Sequence, residues 1–131
     1  MLKTKLQSKT QSVQELEHIV QRIAREMNLP KEKFGDIYIS LTEAITNAIR
    51  HGNAEDENKF VELEIIQKAP SSVAFRITDQ GKGFDYQNLP DPTSDENLRI
   101  CGGRGVMIMQ ALSDEMHFQN NGRTVELHFK F

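Results

Sequence analysis

Glu43 and Asn47 lie four residues apart in the stretch Ser40–Asn53, which is otherwise rich in small and apolar residues. The apolar residues recur at helical spacing, which predicts a helix with one buried face. Residues four apart share a helix face, so the carboxylate and the carboxamide point the same way. Hard oxygen atoms of this kind suit a hydrated Mg²⁺ that also contacts phosphates. The alternative is a half-exposed helix whose polar groups face water, and this stretch alone favours that alternative.

Two glycine-rich segments follow later in the chain. The first is Asp79-Gln-Gly-Lys-Gly83, directly after an alternating run that predicts a strand over 73–78. The second is Gly102-Gly-Arg-Gly105, which opens an apolar segment over 106–112 with helical character. Glycine loops at helix starts offer backbone N–H groups to phosphates. Taken separately, however, Asp-x-Gly is common turn chemistry, and a glycine run can be a flexible linker.

The three blocks together, in this order, resemble the nucleotide-binding site of the GHKL ATPases, which include gyrase-type topoisomerases, heat-shock chaperones, histidine kinases and mismatch-repair ATPases. The form Glu-Ala-Ile-Thr-Asn-Ala-Ile-Arg-His-Gly is most similar to the anti-sigma factor serine kinases of bacteria. The resemblance extends from about residue 13 to residue 131 and implies ATP and Mg²⁺ as cofactors. Each motif alone is weak, whereas the ordered set is more specific.

The resemblance also implies roles for particular residues. Glu43 matches the general base that acts on the attacking hydroxyl, and Asn47 matches the Mg²⁺ ligand. Asp79 matches the residue that accepts a hydrogen bond from the exocyclic amine of adenine. An ionised carboxylate only accepts hydrogen bonds, and guanine offers an acceptor at the corresponding position, so Asp79 would select adenine.

Further contacts follow from the glycine motifs. Gly81 and Gly83 would let the backbone approach the base and sugar, since neither has a Cβ. Gly102, Gly103 and Gly105 would present N–H groups to the phosphates at a helix N-terminus. For Arg104, a bidentate contact to a phosphate and a solvent-exposed position are equally supported.

Three other residues of the motifs have weaker signals. Thr124, at the start of the last predicted strand, matches a family threonine near the adenine, although threonine is common in strands generally. His51 continues the row of Glu43 and Asn47 and could contact phosphate, but a capping or packing role is favoured. Gly52 is predicted to end the helix in a left-handed conformation.

The remaining pattern predicts the elements that position these blocks. We expect a short strand over 2–6, a helix over 13–27 capped by Ser12, and a second helix that follows Pro30 and ends near His51. Strands over 61–65 and 73–78, a helix from 105 and a hairpin around Asn120-Asn-Gly122 complete the order. These elements predict an α+β two-layer sandwich, with helices on one face of a mostly antiparallel mixed sheet. Residues 84–101 show no period and are predicted to form a nucleotide lid.

The bulk properties exclude several classes of protein. The chain has 131 residues and a net charge of −3, which predicts one domain over 1–131 and gives no reason to expect a nucleic-acid partner. Its apolar runs are too short to cross a bilayer, and no signal peptide is evident. The single cysteine, Cys101, favours a reducing cytoplasm and is expected to be inert.

The leading hypothesis is therefore a protein that binds Mg-ATP, sequesters a sigma factor and phosphorylates a serine or threonine of an anti-anti-sigma partner. The resemblance further implies a homodimer. One alternative is a non-catalytic module of the same fold, in which ATP only changes the affinity for a partner. Another is the catalytic domain of a histidine kinase, but Glu43 fits the serine-kinase pattern better.

Overall fold

The computed structural model describes residues 2–83 and 103–131, with only the backbone described for Gly103 and Arg104. In these parts of the chain, five strands form one sheet in the order β1-β2-β3-β5-β4, and each neighbouring pair is antiparallel. The strands are β1 Leu2–Gln7, β2 Phe60–Ala69, β3 Ser72–Thr78, β4 Glu115–Gln119 and β5 Thr124–Lys130. The helices are α1 Ser12–Met27, α2 Lys31–Asn47 and α3 Gly103–Leu112.

The sheet has one apolar face because its strands alternate apolar and polar side chains, which point to opposite faces. Strand pairing aligns Leu63, Ile77 and Val125 across three neighbouring strands, and these residues are buried. The apolar faces of α1 and α2 belong to the same buried core. The predicted α+β two-layer sandwich, with helices on one face of the sheet, is thus confirmed.

The start of α1 differs from the prediction. Gln11 is the N-cap and makes no side-chain capping bond. Ser12 is the first helical residue, and its buried hydroxyl donates to the carbonyl oxygen of Gln7 at 2.6 Å. The prediction of Ser12 as an N-cap is therefore wrong, because its hydroxyl ties the helix to the end of β1 instead of to the first helical N–H groups.

The second helix does not end at a left-handed glycine. After Asn47 the chain continues as a π-helical turn, Ala48–Gly52, and then reaches Asn53 with φ −90° and ψ −2°. Positive φ angles occur at Gly83 and Gly122 but not at Gly52, so the prediction for Gly52 is wrong. We call residues 48–52 the π-turn. Such turns are rare and occur frequently at functional sites.

Charged residues cover the sheet face that is turned away from the helices. Arg76 in β3 donates to Glu64 at 2.8 Å and to Glu126 at 2.9 Å, and His128 lies 2.7 Å from Glu126. Burial of Glu126 disfavours its charge, but the hydrogen bonds from Arg76 and His128 outweigh this effect and lower its pKa below the usual value. Glu126 therefore contributes stability that is present above its unfolded pKa and is lost as the pH falls through its folded pKa.

We expect Arg76→Met to lower the free energy of unfolding at pH 7 by about 2 kcal/mol, because it leaves the buried carboxylate of Glu126 without its main partner. The partial exposure of Arg76 keeps this value below that of a fully buried pair. The loss should shrink as the pH falls below the usual value of 4.5. Urea denaturation at several pH values measures it. Lys3→Met, which removes an exposed ion pair with Glu62, is the control and should change stability by less than about 0.5 kcal/mol; equal losses in the two variants would contradict the prediction.

Candidate functional site

An open cleft lies where the π-turn, the end of β3, α3 and the β4–β5 hairpin meet. It encloses about 620 Å³, including the solvent at its mouth. Residues from the first two predicted motifs line it, including Asn47, His51, Gly52, Asp79 and Gly83. The side chains of Val106 and Met109 line it from α3. The first two sequence blocks, far apart in the chain, therefore line one cavity, and the helix that follows the third block completes its wall.

Glu43, Asn47 and Gly105 form one polar cluster at this cleft, here called the Glu43 cluster. A Cβ built on Gly105 would lie 2.9 Å from Oε2 of Glu43 and 3.0 Å from Nδ2 of Asn47. Both side chains therefore lie directly against the first turn of α3, and a side chain at position 105 would require them to move. Neither side chain makes a hydrogen bond or ion pair within the described parts of the chain.

The second polar group, the Asp79 cluster, contains Asp79, Gly81 and Gly52. Oδ1 of Asp79 accepts a hydrogen bond from the Gly81 N–H at 2.8 Å. A Cβ on Gly52 would overlap the Asp79 carboxylate, and a Cβ on Gly81 would overlap the Gly52 carbonyl oxygen. These two glycines therefore allow the π-turn and the loop after β3 to touch, which fixes Asp79 at the wall of the cleft.

Burial raises the pKa of Asp79 above its usual value, while the Gly81 N–H and the positive charges of Arg123 and Lys59 oppose that rise. The carboxylate is thus partly desolvated, but the Gly81 N–H and the two positive charges stabilise its ionised form. A partly buried acceptor that faces a cleft selects strongly for a ligand that donates a hydrogen bond to it, because an unpaired buried acceptor is costly.

Gly83 connects the same loop to the β4–β5 hairpin. Its φ of +80° lies in the left-handed region, and a Cβ there would overlap the carbonyl oxygen of Asn121. The sequence suggested that Gly81 and Gly83 leave room for a ligand. In the structure both glycines are required first for close contacts within the protein, and Gly83 also lines the cleft.

Thr124 lies beside the cleft but does not line it. Its buried hydroxyl is 3.0 Å from that of Thr78 and accepts a hydrogen bond from Asn120 at 2.9 Å. The cleft is lined instead by its chain neighbours, including Arg123. The hydroxyl of Thr124 is therefore engaged within the sheet, and a direct contact to a base has no support in this geometry. The side chain of Arg104 and the predicted lid over 84–101 lie outside what the structure describes.

Asn53 is a structural residue of this site that the motif pattern did not single out. Its side chain is fully buried and makes three hydrogen bonds. It donates to the hydroxyl of Ser8 at 2.6 Å and to the carbonyl of Phe60 at 2.9 Å, and it accepts from the N–H of Gln80 at 2.7 Å. It thus ties the π-turn to β1, β2 and the residue next to Asp79. The sequence predicted a loop after His51-Gly52 because the residues there are polar. Nothing in that pattern indicated that the Asn53 side chain would be buried.

We expect Asn53→Ala to lower the free energy of unfolding by about 2–3 kcal/mol, because it leaves the Gln80 N–H and the Phe60 carbonyl without their partner. Chemical denaturation measures the change. Asn58→Ala in the same loop is the control, since Asn58 is exposed, and should stay within about 0.5 kcal/mol of the parent. A loss in Asn53→Ala as small as that of Asn58→Ala would mean that the buried network is not important for stability.

The chemistry of the cleft suits a ligand with a flat apolar part and a strongly negative part. Ile77, Val106, Met109 and Val125 supply apolar walls. Asp79 supplies one hydrogen-bond acceptor, while the first turn of α3 offers the positive end of a helix. A purine nucleotide has this combination of properties.

Comparison with known proteins supports this interpretation of the cleft. RsbW from Bacillus subtilis, a serine-protein kinase, is 31% identical over 114 residues, which cover 80% of this chain and 69% of that protein. The serine-protein kinase RsbW from Staphylococcus aureus strain Newman is 27% identical over 99 residues. That match covers 70% of this chain and 62% of the relative, so the chain spans less than two thirds of its length.

A solved structure shares the fold. The crystal structure of the RsbU and RsbW domains of a Mycobacterium tuberculosis protein matches with a TM-score of 0.72 and 16% sequence identity, covering 98% of this chain and 31% of that one. No helix among the described residues has both the length and the apolar character needed to cross a membrane. The family model described as the histidine kinase-like ATPase domain matches residues 6–129. The chain therefore belongs to the histidine kinase-like ATPase family, the GHKL ATPases, and is a relative of the RsbW serine-protein kinases.

Proposed function

We propose that the chain binds Mg-ATP in the cleft, with the adenine at the Asp79 cluster and the phosphates at the Glu43 cluster. The carboxylate of Asp79 would accept a hydrogen bond from the adenine amine, while Ile77 and Met109 flank the ring. The family supports ATP as the ligand. The backbone N–H groups of Gly103 and Gly105 at the start of α3 would bind the phosphates.

Asn47 would hold Mg²⁺ through its carboxamide oxygen. The donor chemistry fits, because Mg²⁺ takes oxygen ligands, retains several waters and is usually held by few protein groups together with phosphates. Bound Mg²⁺ would neutralise negative charge on the transferred phosphoryl group. Glu43 lies beside Asn47, where its carboxylate could accept the proton of an attacking hydroxyl.

We further propose that the chain is a protein serine/threonine kinase that phosphorylates an anti-anti-sigma partner and, as a cytoplasmic homodimer, sequesters a sigma factor. The observation that carries the kinase proposal is the packing of Glu43 and Asn47 side by side against Gly105, with no partner of their own among the described residues. The relatives named serine-protein kinase support it. A general base and a metal ligand one turn apart suit phosphoryl transfer to a hydroxyl.

Phosphoryl transfer is tested by incubating the chain with labelled ATP, Mg²⁺ and candidate anti-anti-sigma proteins. We expect label on a serine or threonine of the acceptor, identified by mass spectrometry. Absence of transfer to every acceptor, from a preparation that binds ATP, would contradict the kinase proposal and leave the binding proposal intact.

One observation favours a second candidate, a non-catalytic module in which ATP only changes the affinity for a protein partner. Asn47 lines the cleft, whereas Glu43 is not among its lining residues. A carboxylate set back from the cleft would serve packing instead of proton transfer. This candidate predicts ATP-dependent binding of a partner without any phosphorylated product.

The variant Asp79→Asn tests whether Asp79 recognises the ligand, because it should change the affinity for ATP without lowering the stability of the fold. We expect the affinity for ATP to fall by about tenfold or more, because the amide can present an N–H to the adenine amine in place of an acceptor. Stability should not fall at neutral pH. The raised folded pKa of Asp79 means that its contribution to stability is greatest at low pH and is lost as the pH rises through that value. Calorimetric titration with ATP, ADP and GTP, with and without Mg²⁺, measures binding, and thermal unfolding measures stability; unchanged ATP affinity would remove Asp79 from the site.

A further inference from the structure

Asp114 lies between the end of α3 and the start of β4, and it does not line the cleft. Its backbone N–H donates to the carbonyl of His128 at 2.8 Å. Its Oδ2 accepts a hydrogen bond from the backbone N–H of Lys130 at 2.7 Å. These two bonds reach β5 on either side of Phe129, which is fully buried. Asp114 is thus held at two points to the backbone of a strand whose position is fixed by the core.

The last turn of α3 is joined closely to this attachment. The hydroxyl and the backbone N–H of Ser113 both donate to the carbonyl of Met109, at 2.6 and 3.0 Å. Lys33 of α2 lies 3.5 Å from Oδ2 of Asp114. A helix of ten residues behaves as a stiff rod about 15 Å long. The place at which its C-terminal end is held along β5 therefore also sets the place of its first turn.

We propose that Asp114 is a positioning residue, which holds α3 along β5 so that the first turn of the helix lies at the correct distance from the Asp79 cluster for a nucleotide with phosphates. This inference rests on the proposed function, because it assumes that the phosphates bind at that turn. It goes beyond that function in assigning the spacing between the two ends of the cleft to a residue that touches neither end.

The contacts at the two ends of α3 differ in kind. At the first turn, Gly105 packs against Glu43 and Asn47, and neither of these side chains makes a hydrogen bond within the described residues. Packed helices can slide past one another by about 1–2 Å, because packing contacts are not directional. Hydrogen bonds are directional, so the two bonds of Asp114 oppose such a slide.

The carboxylate of Asp114 is suited to this role at neutral pH. The hydrogen bond from the Lys130 N–H lowers the pKa of Asp114 below its usual value, burial opposes this effect, and the positive charge of Lys33 adds to it. The ionised form is therefore the one that is held. Its main partner is the backbone of β5, and the side chain of Lys33 contributes less.

The test compares the affinities for ATP and adenosine by calorimetric titration of the full chain with Mg²⁺ at pH 7. Adenosine lacks phosphates, so the ratio of the two affinities reports on the phosphate end of the cleft. We expect Asp114→Ala to lower this ratio by roughly fivefold to tenfold, which corresponds to the loss of one favourable interaction between a charge and a helix end. Asp114→Asn keeps a neutral acceptor for the Lys130 N–H and should lower the ratio by only about twofold to threefold.

Ser12→Ala is the matched structural control. The hydroxyl of Ser12 bonds to the Gln7 carbonyl, and neither residue lines the cleft, so this variant should lose stability while the ratio stays at the parent value. The parent ratio in both Asp114 variants would overturn the inference alone. So would an equal loss of ATP and adenosine affinity in Asp114→Ala, because it would mean that Asp114 supports the fold as a whole.

Two further outcomes are decided in advance. If Asp114→Ala does not fold, Asp114→Asn decides alone, and the parent ratio in that variant would overturn the inference. A parent chain that binds ATP no more tightly than adenosine would overturn the proposed phosphate site together with the inference, which distinguishes this failure from that of Asp114 alone.

Discussion

Glu43→Gln is expected to slow phosphoryl transfer to a protein acceptor by about 10²- to 10⁴-fold, the usual contribution of a positioned general base. ATP affinity should stay nearly unchanged, because in the proposed binding mode Asp79 and the first turn of α3 would still contact the nucleotide. Glutamine keeps the size of glutamate, so the packing against Gly105 is preserved while the proton acceptor is lost. Single-turnover transfer from labelled ATP measures the rate, and calorimetry measures the affinity.

The control for this experiment is Glu32→Gln in the first turn of the same helix. Glu32 is exposed and more than two turns from the cleft, so its transfer rate should match that of the parent. Full activity in Glu43→Gln would exclude Glu43 as the base and would favour catalysis by positioning and charge neutralisation alone. Loss of ATP binding in the same variant would instead mean that Glu43 holds the metal that accompanies the phosphates.

Much of the fold followed from the sequence because its hydrophobic periods are unambiguous. The strand period over 61–65 and 73–78 and the Asn120-Asn-Gly122 turn gave the pairing of β2 with β3 and of β4 with β5, both of which the structure contains. The apolar stripe of α1 likewise matches its buried residues. The spacing of apolar residues along one strand or helix indicates which of its faces is buried, and no distant part of the sequence is needed to see it.

The ends of the helices did not follow from the sequence, for a different physical reason. The hydroxyl of Ser12 can cap a helix or bond elsewhere, and the nearby Gln7 carbonyl, supplied by the end of β1, decided the outcome. Gly52 was interpreted as a left-handed cap, whereas its lack of a Cβ accommodates Asp79. In each case the deciding partner is distant in sequence, so local preferences could not identify it.

The candidate site was predicted in part. The motifs identified Asn47, Asp79 and Gly83, and all three line one cleft. The roles assigned to them stay predictions. Asn53 and Arg123 were missed, because one supports the site through a buried network and the other lies in a hairpin outside the motifs. Sequence motifs mark groups that touch a ligand more readily than groups that hold those residues in place.

Gly81→Ala is expected to have the largest effect on stability, a loss of about 3 kcal/mol or more in the free energy of unfolding. The new Cβ would overlap the backbone carbonyl oxygen of Gly52, which cannot swing aside as a side chain can. Either the π-turn or the loop after β3 must shift, and both belong to the Asp79 cluster. ATP affinity should therefore fall together with stability.

Gly35→Ala is the same chemical change, but we expect it to raise the free energy of unfolding instead of lowering it. Gly35 lies inside α2, and a Cβ there would meet no atom within 4 Å. Alanine should therefore raise the free energy of unfolding by about 0.5–1 kcal/mol, because it reduces the backbone freedom that the chain loses on folding. Denaturant unfolding of the two variants compares them directly. Equal effects would mean that the loop after β3 relaxes freely, and a freely relaxing loop could not hold Asp79 rigidly enough to distinguish one base from another.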